Sequence, residues 1–214
     1  METTDKIIIC VGRQIGSGGH DIAQLLAKMF GCQFYDRELL NLAARESGFC
    51  EKIFEQNDEH KGFFRSVFQL HTSFADNAVY RNNFSQDSLY QFQCDAIRKA
   101  AEEGNCVFVG RTADYVLRNH KHVTNVFITA DMDQRIQRVC QRRQTDRAHA
   151  RKFIAEEEAH RAAYYNYYTG KKWGHSESYD VCINSSLMGI EETAKVIAHI
   201  ICRRYGWDEH RIGV

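Results

Sequence analysis

The sequence predicts an α/β fold in which helices cover both faces of a parallel β-sheet. Two observations carry this prediction. Short, continuous apolar runs recur along the chain, as in strands buried on both faces, and segments with apolar residues at helical spacing alternate with them. The chain has 214 residues, of which 43% are apolar and 26% charged. This composition is that of an ordinary globular domain, and it excludes disordered and collagen-like chains.

The first unit of the chain is a strand, a glycine-rich loop and a helix. An apolar run over residues 6–11 predicts a buried strand, and the loop Gly12-Arg13-Gln14-Ile15-Gly16-Ser17-Gly18-Gly19 follows it. Apolar residues at positions 22, 25, 26 and 29 mark one face of a helix that Gly31 closes. Glycines let backbone N–H groups converge where a helix N-terminus adds positive potential, so residues 12–20 predict a phosphate-binding loop. A tight turn without a ligand is the alternative.

The later elements follow the same alternation. Apolar runs predict the other strands at residues 32–35, 105–110, 123–129 and 179–184. Helical patterns cover residues 39–45, the segment after the strand 123–129, and residues 190–201. Asp131 and Gln134 have the spacing of an N-terminal capping arrangement. Residues 46–103 are polar and aromatic with helical spacing and no convincing strand, so we expect a helical insert there.

Charge and hydropathy exclude several classes of partner. The 28 Lys and Arg balance 28 Asp and Glu, so the whole molecule has no general attraction for nucleic acids or membrane surfaces. The longest strongly apolar stretch, residues 7–11, is far shorter than the roughly 20 residues of a membrane span. We therefore expect a soluble cytoplasmic protein with neither a nucleic-acid nor a membrane partner. The chain contains no proline, which excludes proline-rich linkers.

The eight cysteines form no C-x-x-C pair. Several stand inside apolar runs, which favours small buried side chains in a reducing compartment over a disulfide framework. This prediction covers Cys10, Cys106, Cys140, Cys182 and Cys202.

Four motifs stand out along the chain: Gly12 to His20, Phe34-Tyr35-Asp36-Arg37-Glu38-Leu39, Gly110-Arg111-Thr112-Ala113-Asp114-Tyr115 and Tyr167-Tyr168-Thr169-Gly170-Lys171-Lys172-Trp173-Gly174. Together they resemble the cytidylate kinase-like family of P-loop kinases. They come in family order and span nearly the whole chain. The resemblance implies a single kinase domain with a three-layer P-loop NTPase fold and a five-stranded parallel sheet. Its core would be residues 1–45, 104–140 and 175–214, with a helical acceptor-binding insert at about 46–103 and an arginine-bearing lid at about 141–174.

The family is named for cytidylate kinase, which moves the terminal phosphate of ATP to CMP or dCMP with magnesium. The resemblance therefore implies an ATP-dependent phosphotransferase that uses ATP and Mg²⁺ and acts on CMP, dCMP or another small acceptor. The chain departs from the P-loop pattern, because Gly19 stands at the lysine position and His20 at the hydroxyl position. A catalytically weak or inactive nucleotide-binding regulatory module is the alternative.

The loop and the lid supply the predicted phosphate contacts. Backbone amides of Gly16, Ser17, Gly18, Gly19 and His20 would hold the ATP phosphates. Arg13 would either supply part of the missing lysine's charge or pair with a nearby carboxylate. By position in the lid, the resemblance assigns Arg142, Arg143, Arg147 and Arg151 to the phosphates. A solvated charged face, which also includes Arg135 and Arg138 at helical spacing, is the alternative for this run.

The acceptor side is predicted from the other motifs. The resemblance places Asp36 and Arg37 at the acceptor, Arg111 on an acceptor phosphate, and Asp114 close to it. Asp36 or Asp114 would assist magnesium, or would cap a helix, and the metal ligands are not defined by the sequence. Lys171 and Lys172 follow a Thr-Gly turn and supply either a further phosphate contact or a surface turn.

The aromatic residues near the end of the lid allow two further hypotheses. The tyrosines at 164, 165, 167 and 168, with Trp173, favour packing of a helix against the core over stacking on a base. An RNA-binding surface over residues 142–173 is a more distant alternative. The oligomeric state is not predicted.

Overall fold

The computed structural model describes residues 6–36 and 86–208, which contain a five-stranded parallel sheet. Its strands are β1 (Ile8–Arg13), β2 (Gln33–Tyr35), β3 (Cys106–Val109), β4 (Val123–Thr129) and β5 (Val181–Asn184). They pair in the order β2-β3-β1-β4-β5. Because β1 is central, the loop that follows it leaves the middle of the sheet's carboxyl edge, between the loops that follow β3 and β4. Open parallel sheets bind ligands at this edge.

Helices separate the strands along the chain. They are α1 (Gly19–Phe30), α2 (Gln86–Glu103), α3 (Ala113–Val116), α4 (Met132–Arg143), α5 (Arg147–Thr169) and α6 (Gly189–Tyr205), with a 3₁₀ turn at Ser176–Ser178. The strands carry Ile9 and Val11 on one face, where Leu26 of α1 and Ile197 of α6 pack on them. Successive side chains of a strand point to opposite faces of a sheet, so alternate residues of β3 and β4, such as Phe108, lie on the other face. There Tyr35 stacks on the Phe108 ring at 5.2 Å.

The predicted strands are confirmed, with shifts at their ends. The strand 123–129 has the predicted bounds, whereas β1 runs from Ile8 to Arg13 rather than over residues 6–11. The shift has a pairing cause, because Gly12 and Arg13 continue the ladder with Phe127 and Ile128 of β4. Arg13 therefore ends the central strand instead of lying inside the loop.

The chain divides into two compact units. One comprises Met1–Asp36 and Ala100–Val214, and the other comprises Arg37–Lys99. The predicted helix at 39–45 and most of the predicted insert lie outside the described residues, which cover this part of the chain only from Gln86 onward. The bounds of the insert and of the lid stay predictions.

The seven cysteines of the described residues are free thiols. Cys10, Cys106 and Cys202 are buried as predicted, and Cys140 is half-buried. The prediction for Cys182 is wrong, since this residue is exposed. It stands on the edge strand β5, where helices cover a side chain less completely than on the central strands.

Within residues 6–36 and 86–208, no helix has the length and apolar character needed to cross a bilayer. The cytoplasmic location stays a prediction.

Candidate functional site

The glycine-rich loop between β1 and α1 is folded around Ser17. The Ser17 hydroxyl donates to the Gln14 carbonyl at 2.9 Å and accepts the Gly19 N–H at 3.2 Å. Ser185, which follows β5, donates to the Ser17 carbonyl at 2.6 Å. These contacts use the Ser17 side chain for the loop itself, and the Ser17 N–H also donates to the Gln14 carbonyl at 3.3 Å. The predicted contact of Ser17 with phosphate stays a prediction.

The start of α1 leaves backbone donors without protein partners. Within the described residues, the N–H groups of Gly18, His20 and Asp21 donate to no protein group. The first N–H groups of any helix lack intrahelical acceptors and carry partial positive charge. The loop therefore presents converging donors that suit an anion such as a phosphate.

Arg13 occupies the space that a P-loop lysine would need. A methyl group built at Gly19 would lie 2.5 Å from the Arg13 Cβ and 3.2 Å from the Ile128 Cβ, which leaves no room for a side chain. The guanidinium of Arg13 extends across Gly110, where any side chain would overlap its Nη1. The cation beside this loop thus comes from the central strand instead of the helix. The Arg13 side chain passes directly over residues 19 and 110, and both are glycine.

Three arginines converge beside the loop around one carboxylate. Arg161 donates from Nη1 to the Arg13 carbonyl at 3.0 Å, and the Arg13 guanidinium lies 3.8 Å from Asp36 Oδ1. Burial lowers the pKa of Arg13 to about 9; Arg161 and Arg111 act in the same direction and Asp36 opposes them. Arg13 remains charged at neutral pH, and Glu157 and Glu158 act on Arg161 as further carboxylates. Both predicted roles of Arg13, cation of the loop and partner of a carboxylate, are compatible with this geometry.

Asp36 is held on its other side by His20. The Nε2 atom of His20 lies 3.2 Å from Asp36 Oδ2, and the His20 ring meets Phe34 edge-on at 5.4 Å. Burial alone would raise the pKa of Asp36, but the hydrogen bond with His20 and the charge of Arg13 outweigh it and lower the pKa. His20 thus stands at the hydroxyl position of the loop and contacts a carboxylate.

The predicted magnesium ligands, Asp36 and Asp114, do not stand in a cluster of acidic or His and Cys side chains within the described residues. Among the described residues, no group of three or more His, Cys, Asp or Glu side chains could hold a metal ion. Magnesium commonly binds through one or two carboxylates, substrate phosphates and water. A magnesium ion that arrives with a nucleotide would need only one or two of these carboxylates, and magnesium use stays a prediction.

An ion pair between α4 and α5 clamps the backbone of Ile15. Arg135, 3% exposed, donates from Nε to the Ile15 carbonyl at 2.8 Å and pairs through Nη2 with Glu158. The same Glu158 carboxylate accepts the Ile15 N–H at 3.2 Å. The Ile15 side chain packs against the small core between the two helices, which contains Ile136 and Ile154. The glycine-rich loop is therefore fastened to α4 and α5 by both backbone groups and by the side chain of one residue.

A second arginine of α4 extends this contact. Arg138 donates from Nη1 to the Gly16 carbonyl at 3.0 Å. Arg135 and Arg138 of α4 thus contact the loop, and Arg161 of α5 contacts the end of β1 just before it. Arg161 was not singled out from the sequence, and the solvated-face alternative is wrong for Arg135 because this side chain is buried. The sequence does contain a signal that could have identified Arg161. Glu158 and Arg161 are three residues apart and share one face of α5, as Arg135 and Arg138 do on α4.

The loop after β3 carries Arg111 in an unusual backbone conformation. Gly110, Arg111 and Thr112 have φ angles of 73°, 58° and 55°, and a left-handed conformation costs a non-glycine residue roughly 1–2 kcal/mol. Asp114 follows in α3, and its Oδ2 accepts a hydrogen bond of 2.6 Å from the Tyr165 hydroxyl. Burial raises the pKa of Asp114, against the opposing effects of Tyr165 and Lys171.

With this geometry in place, comparison with known proteins gives the family. The sequence profile of the cytidylate kinase-like family matches residues 8–187, most of the chain. The chain belongs to the cytidylate kinase-like family. A search of curated proteins found no match.

Two solved structures are similar to this fold. A crystal structure of an uncharacterized protein from Eubacterium ventriosum has 27% sequence identity and a TM-score of 0.69, covering 92% of this chain and 98% of that one. Shikimate kinase from Bacteroides thetaiotaomicron has 14% identity and a TM-score of 0.52, covering 92% of this chain and 99% of that one. The second likeness is one of fold alone. Together with the family, the fold supports a phosphotransferase of the nucleotide-kinase type.

The four lid arginines assigned by likeness to the cytidylate kinase-like family lie on exposed surface. Arg142 pairs with Asp21 at 2.5 Å, and Arg147 pairs with Asp133 at 2.7 Å. The Arg143 guanidinium lies 4.0 Å from the centre of the Phe153 ring. Arg151 has no ion pair within the described residues. Their contact with phosphate stays a prediction.

The other predicted acceptor residues are distributed differently. Asp36 follows β2, and Arg111 and Asp114 follow β3, so the three residues come from two neighbouring segments at the carboxyl edge of the sheet. Arg37 lies outside the described residues. Lys171 and Lys172 are exposed at the end of α5, and the charge of Lys171 acts on Asp114.

The aromatic residues of the family's last motif do not share one environment. Tyr165 is 6% exposed and Trp173 meets the Phe127 ring edge-on at 5.3 Å, as packing predicts. Tyr167 is 75% exposed, so the packing prediction is wrong for this residue. The reason is helical geometry, because residue 167 points away from the side of α5 that carries Tyr165 and Arg161.

Proposed function

We propose that the protein is an ATP-dependent phosphotransferase of the cytidylate kinase-like type. It moves the terminal phosphate of ATP to a nucleoside monophosphate, with CMP or dCMP favoured, or to another small acceptor. The observation that carries this proposal is the convergence of Arg13, Arg111 and Arg161 beside a loop with unused backbone donors. Binding a nucleotide requires only the loop, whereas transfer requires cations around the migrating phosphoryl group.

Each part of the site has a role in this reaction. Backbone N–H groups of the loop hold the donor phosphates, with Arg13 beside them. An oxygen of the acceptor attacks the γ-phosphorus in line, a new P–O bond forms, and the bond to the β-phosphate oxygen breaks to release ADP. Magnesium, when bound, neutralises charge on the phosphates. Arg161 and Arg111 stabilise negative charge on the transferred group and on the acceptor. Positioned cations accelerate such reactions because they stabilise this charge in the transition state.

The clamp on Ile15 supports pre-organised catalysis. The ion pair between Arg135 and Glu158 fixes the loop backbone before any ligand arrives. Donors that are already aimed at the phosphates need no reorganisation during the reaction, which is the main source of electrostatic catalysis.

The second candidate function is a nucleotide-binding regulatory module with little or no turnover. One observation favours it: the lysine and hydroxyl of the P-loop are replaced by Gly19 and His20. The arrangement of Arg13 opposes it, because this side chain fills the place of the lysine with another cation. In either case the partners are a nucleotide and a small molecule, and we propose neither a nucleic-acid nor a membrane partner.

A phosphotransfer assay separates the two functions. The protein is incubated with ATP and magnesium against a panel of nucleoside monophosphates and small alcohols. ADP formation is followed, and ATP binding is measured in parallel by calorimetry. We expect acceptor-dependent ADP formation with at least one member of the panel. ATP binding without ADP formation across the whole panel would reject the enzyme in favour of the module.

A further inference from the structure

We propose that the hydrogen bond between Tyr165 and Asp114 positions Arg111 and Arg161 for the acceptor. This inference rests on the proposed function, and it assigns a role to a buried polar pair that the transfer step does not use. The Tyr165 hydroxyl donates to Asp114 Oδ2 at 2.6 Å. Tyr165 itself is 6% exposed, so the bond is shielded from water.

The pair links the two elements that carry the arginines. Asp114 is three residues after Arg111, at the point where the left-handed loop enters α3. Tyr165 is four residues after Arg161 on α5, hence on the same helix face and one turn away. A single hydrogen bond therefore fixes the distance between the β3 loop and this part of the lid helix.

Arg111 repels the other two arginines, so their approach needs support. Burial is the main cause of the lowered pKa of Arg161; the charges of Glu157, Glu158 and Asp36 raise this pKa, and the charge of Arg111 lowers it. Arg111 also lowers the pKa of Arg13. Without a bound anion, this repulsion and the strained backbone of Arg111 both favour separation of the loop from α5. The Tyr165–Asp114 bond opposes that separation until an acceptor anion neutralises the charge.

The chain after α5 strengthens the same anchor. Thr169 donates from Oγ1 to the Tyr165 carbonyl at 2.7 Å and accepts the Lys171 N–H at 3.0 Å. Tyr179 lies next to Tyr165, and its hydroxyl accepts the Gly174 N–H at 3.4 Å. These hydrogen bonds hold the end of α5 at the point where the Tyr165 ring enters the core. They limit the movement of the ring, so the hydroxyl group sets the position of Asp114.

The first test compares substitutions in the pair. Tyr165→Phe removes the hydroxyl and keeps the buried ring, and Tyr167→Phe is the matched control on the exposed side of the same helix. Steady-state KM values for CMP and for ATP are measured separately. We expect Tyr165→Phe to raise the KM for CMP about tenfold, as loss of one hydrogen bond to a charged group predicts, with the KM for ATP nearly unchanged. Tyr167→Phe leaves both values unchanged.

Substitutions at Asp114 separate positioning from general stability. Asp114→Asn keeps an oxygen that accepts from Tyr165, whereas Asp114→Leu does not. We expect Asp114→Asn to raise the KM for CMP less than Asp114→Leu, and Tyr165→Phe to add little in the Asp114→Leu background. Equal increases of KM for CMP and ATP, or unchanged KM values with only a lower melting temperature, would overturn the proposal.

A binding measurement keeps this inference separate from the proposed function. CMP and inorganic phosphate are titrated into the wild type and Tyr165→Phe by calorimetry, without turnover. If the wild type turns over no acceptor yet binds either probe about tenfold more tightly than Tyr165→Phe, the proposed function fails and the positioning role stands. Equal affinities overturn the positioning role, as does a wild type that binds neither probe, since no anion site would then exist to be held together.

Discussion

Arg13 is the residue on which the phosphate site depends most. Its side chain leaves the end of β1, fills the space in front of Gly19 and crosses Gly110. The lysine that P-loop kinases carry on the helix would have no room here, and the arginine brings a planar fork of donors in its place. Glycine at position 19 and arginine at position 13 therefore belong together, because the arginine side chain fills the space that the glycine leaves open.

Replacing Arg13 tests this reading. Arg13→Ala removes the cation that lies against Gly19, and we expect the affinity for ATP to fall at least tenfold, since a charge-assisted hydrogen bond contributes about 1.5–3 kcal/mol. Calorimetric titration with ATP and magnesium measures the effect. Lys195→Ala is the control, because it removes a cation that pairs with Glu192 on the surface of α6. An ATP affinity that is the same in both variants would contradict the role of Arg13.

Asp114 is the residue whose ionisation matters for stability. Burial raises its pKa above the ordinary 3.8, although Tyr165 and Lys171 oppose this. The folded state therefore holds the proton more tightly than the unfolded state. This contribution to stability is complete below the ordinary pKa and is lost as pH rises through the folded-state value.

The pH dependence of unfolding provides the measurement. The free energy of unfolding of the wild type, relative to Asp114→Asn, should fall as pH rises from about 4 to about 8. Asp146→Asn provides a control of opposite sign, because hydrogen bonds from His149 lower the pKa of the exposed Asp146. Relative to that variant, the wild type should lose stability as pH falls. Parallel urea-denaturation profiles for wild type and Asp114→Asn at every pH would refute the assignment.

Predictions for single residues were correct where the local sequence determines the conformation. They were wrong where a residue far away in the sequence determines the contact. Gly31 ends α1 with a φ of 60°, as its position after the apolar face predicts. Asp131 is the N-terminal cap residue of α4, yet its side chain does not cap the helix; its Oδ1 accepts from Asn184 at 2.9 Å. The partner is far along the chain and comes close only because β4 and β5 pair.

At the scale of elements, the main feature is the union of the glycine-rich loop with the lid helices. Both backbone groups of Ile15 are bonded to an ion pair between α4 and α5. This contact holds Arg135 and Arg138 of α4 at the loop. The sequence predicted the loop and an arginine-rich lid, but the pairing of Arg135 with Glu158 depends on the crossing of two helices, which no local pattern specifies.

Glu158→Gln weakens this clamp. It leaves the buried Arg135 without its carboxylate partner, and we expect the free energy of unfolding to fall by about 2 kcal/mol, less than for a fully buried pair because Glu158 is partly exposed. Chemical denaturation at neutral pH measures the loss. Glu156→Gln is the matched control two residues earlier, where an exposed pair with Lys152 contributes less than about 1 kcal/mol. Equal losses in the two variants would show that the clamp does not stabilise the fold.

Gly16→Ala tests the close approach between the loop and α4. Gly16 has a φ of 76°, and an added methyl group would lie 2.6 Å from the Arg135 carbonyl oxygen. We expect a loss of about 3 kcal/mol or more, from backbone strain and overlap together. Gly31→Ala has similar strain, with a φ of 60°, but no atom within 4 Å of the added group, so about 1–2 kcal/mol is expected. If thermal unfolding shows the same loss in both variants, the loop and α4 are not in contact.

At the scale of the whole molecule, the formal charge is zero while three arginines meet at the sheet edge. The 28 cationic and 28 anionic side chains cancel over the chain. Arg13, Arg111 and Arg161 meet at the carboxyl edge with Asp36 as their shared carboxylate. Composition therefore gave no indication of this site, whereas the order of strands and loops did. The strand alternation predicted the parallel sheet, and the sheet brings together arginines from β1, the β3 loop and α5.

In the proposed function, this altered loop supports transfer of a phosphoryl group from ATP to an acceptor. Phosphorus-31 NMR of the protein with ATP, magnesium and CMP follows every phosphate at once. We predict that the signals of ADP and of a new nucleoside diphosphate grow together while the γ-phosphate signal of ATP declines. A γ-phosphate signal that persists while ATP is bound, or that is converted only to inorganic phosphate with no phosphorylated acceptor from CMP or from the other acceptors tried in its place, would contradict the claim.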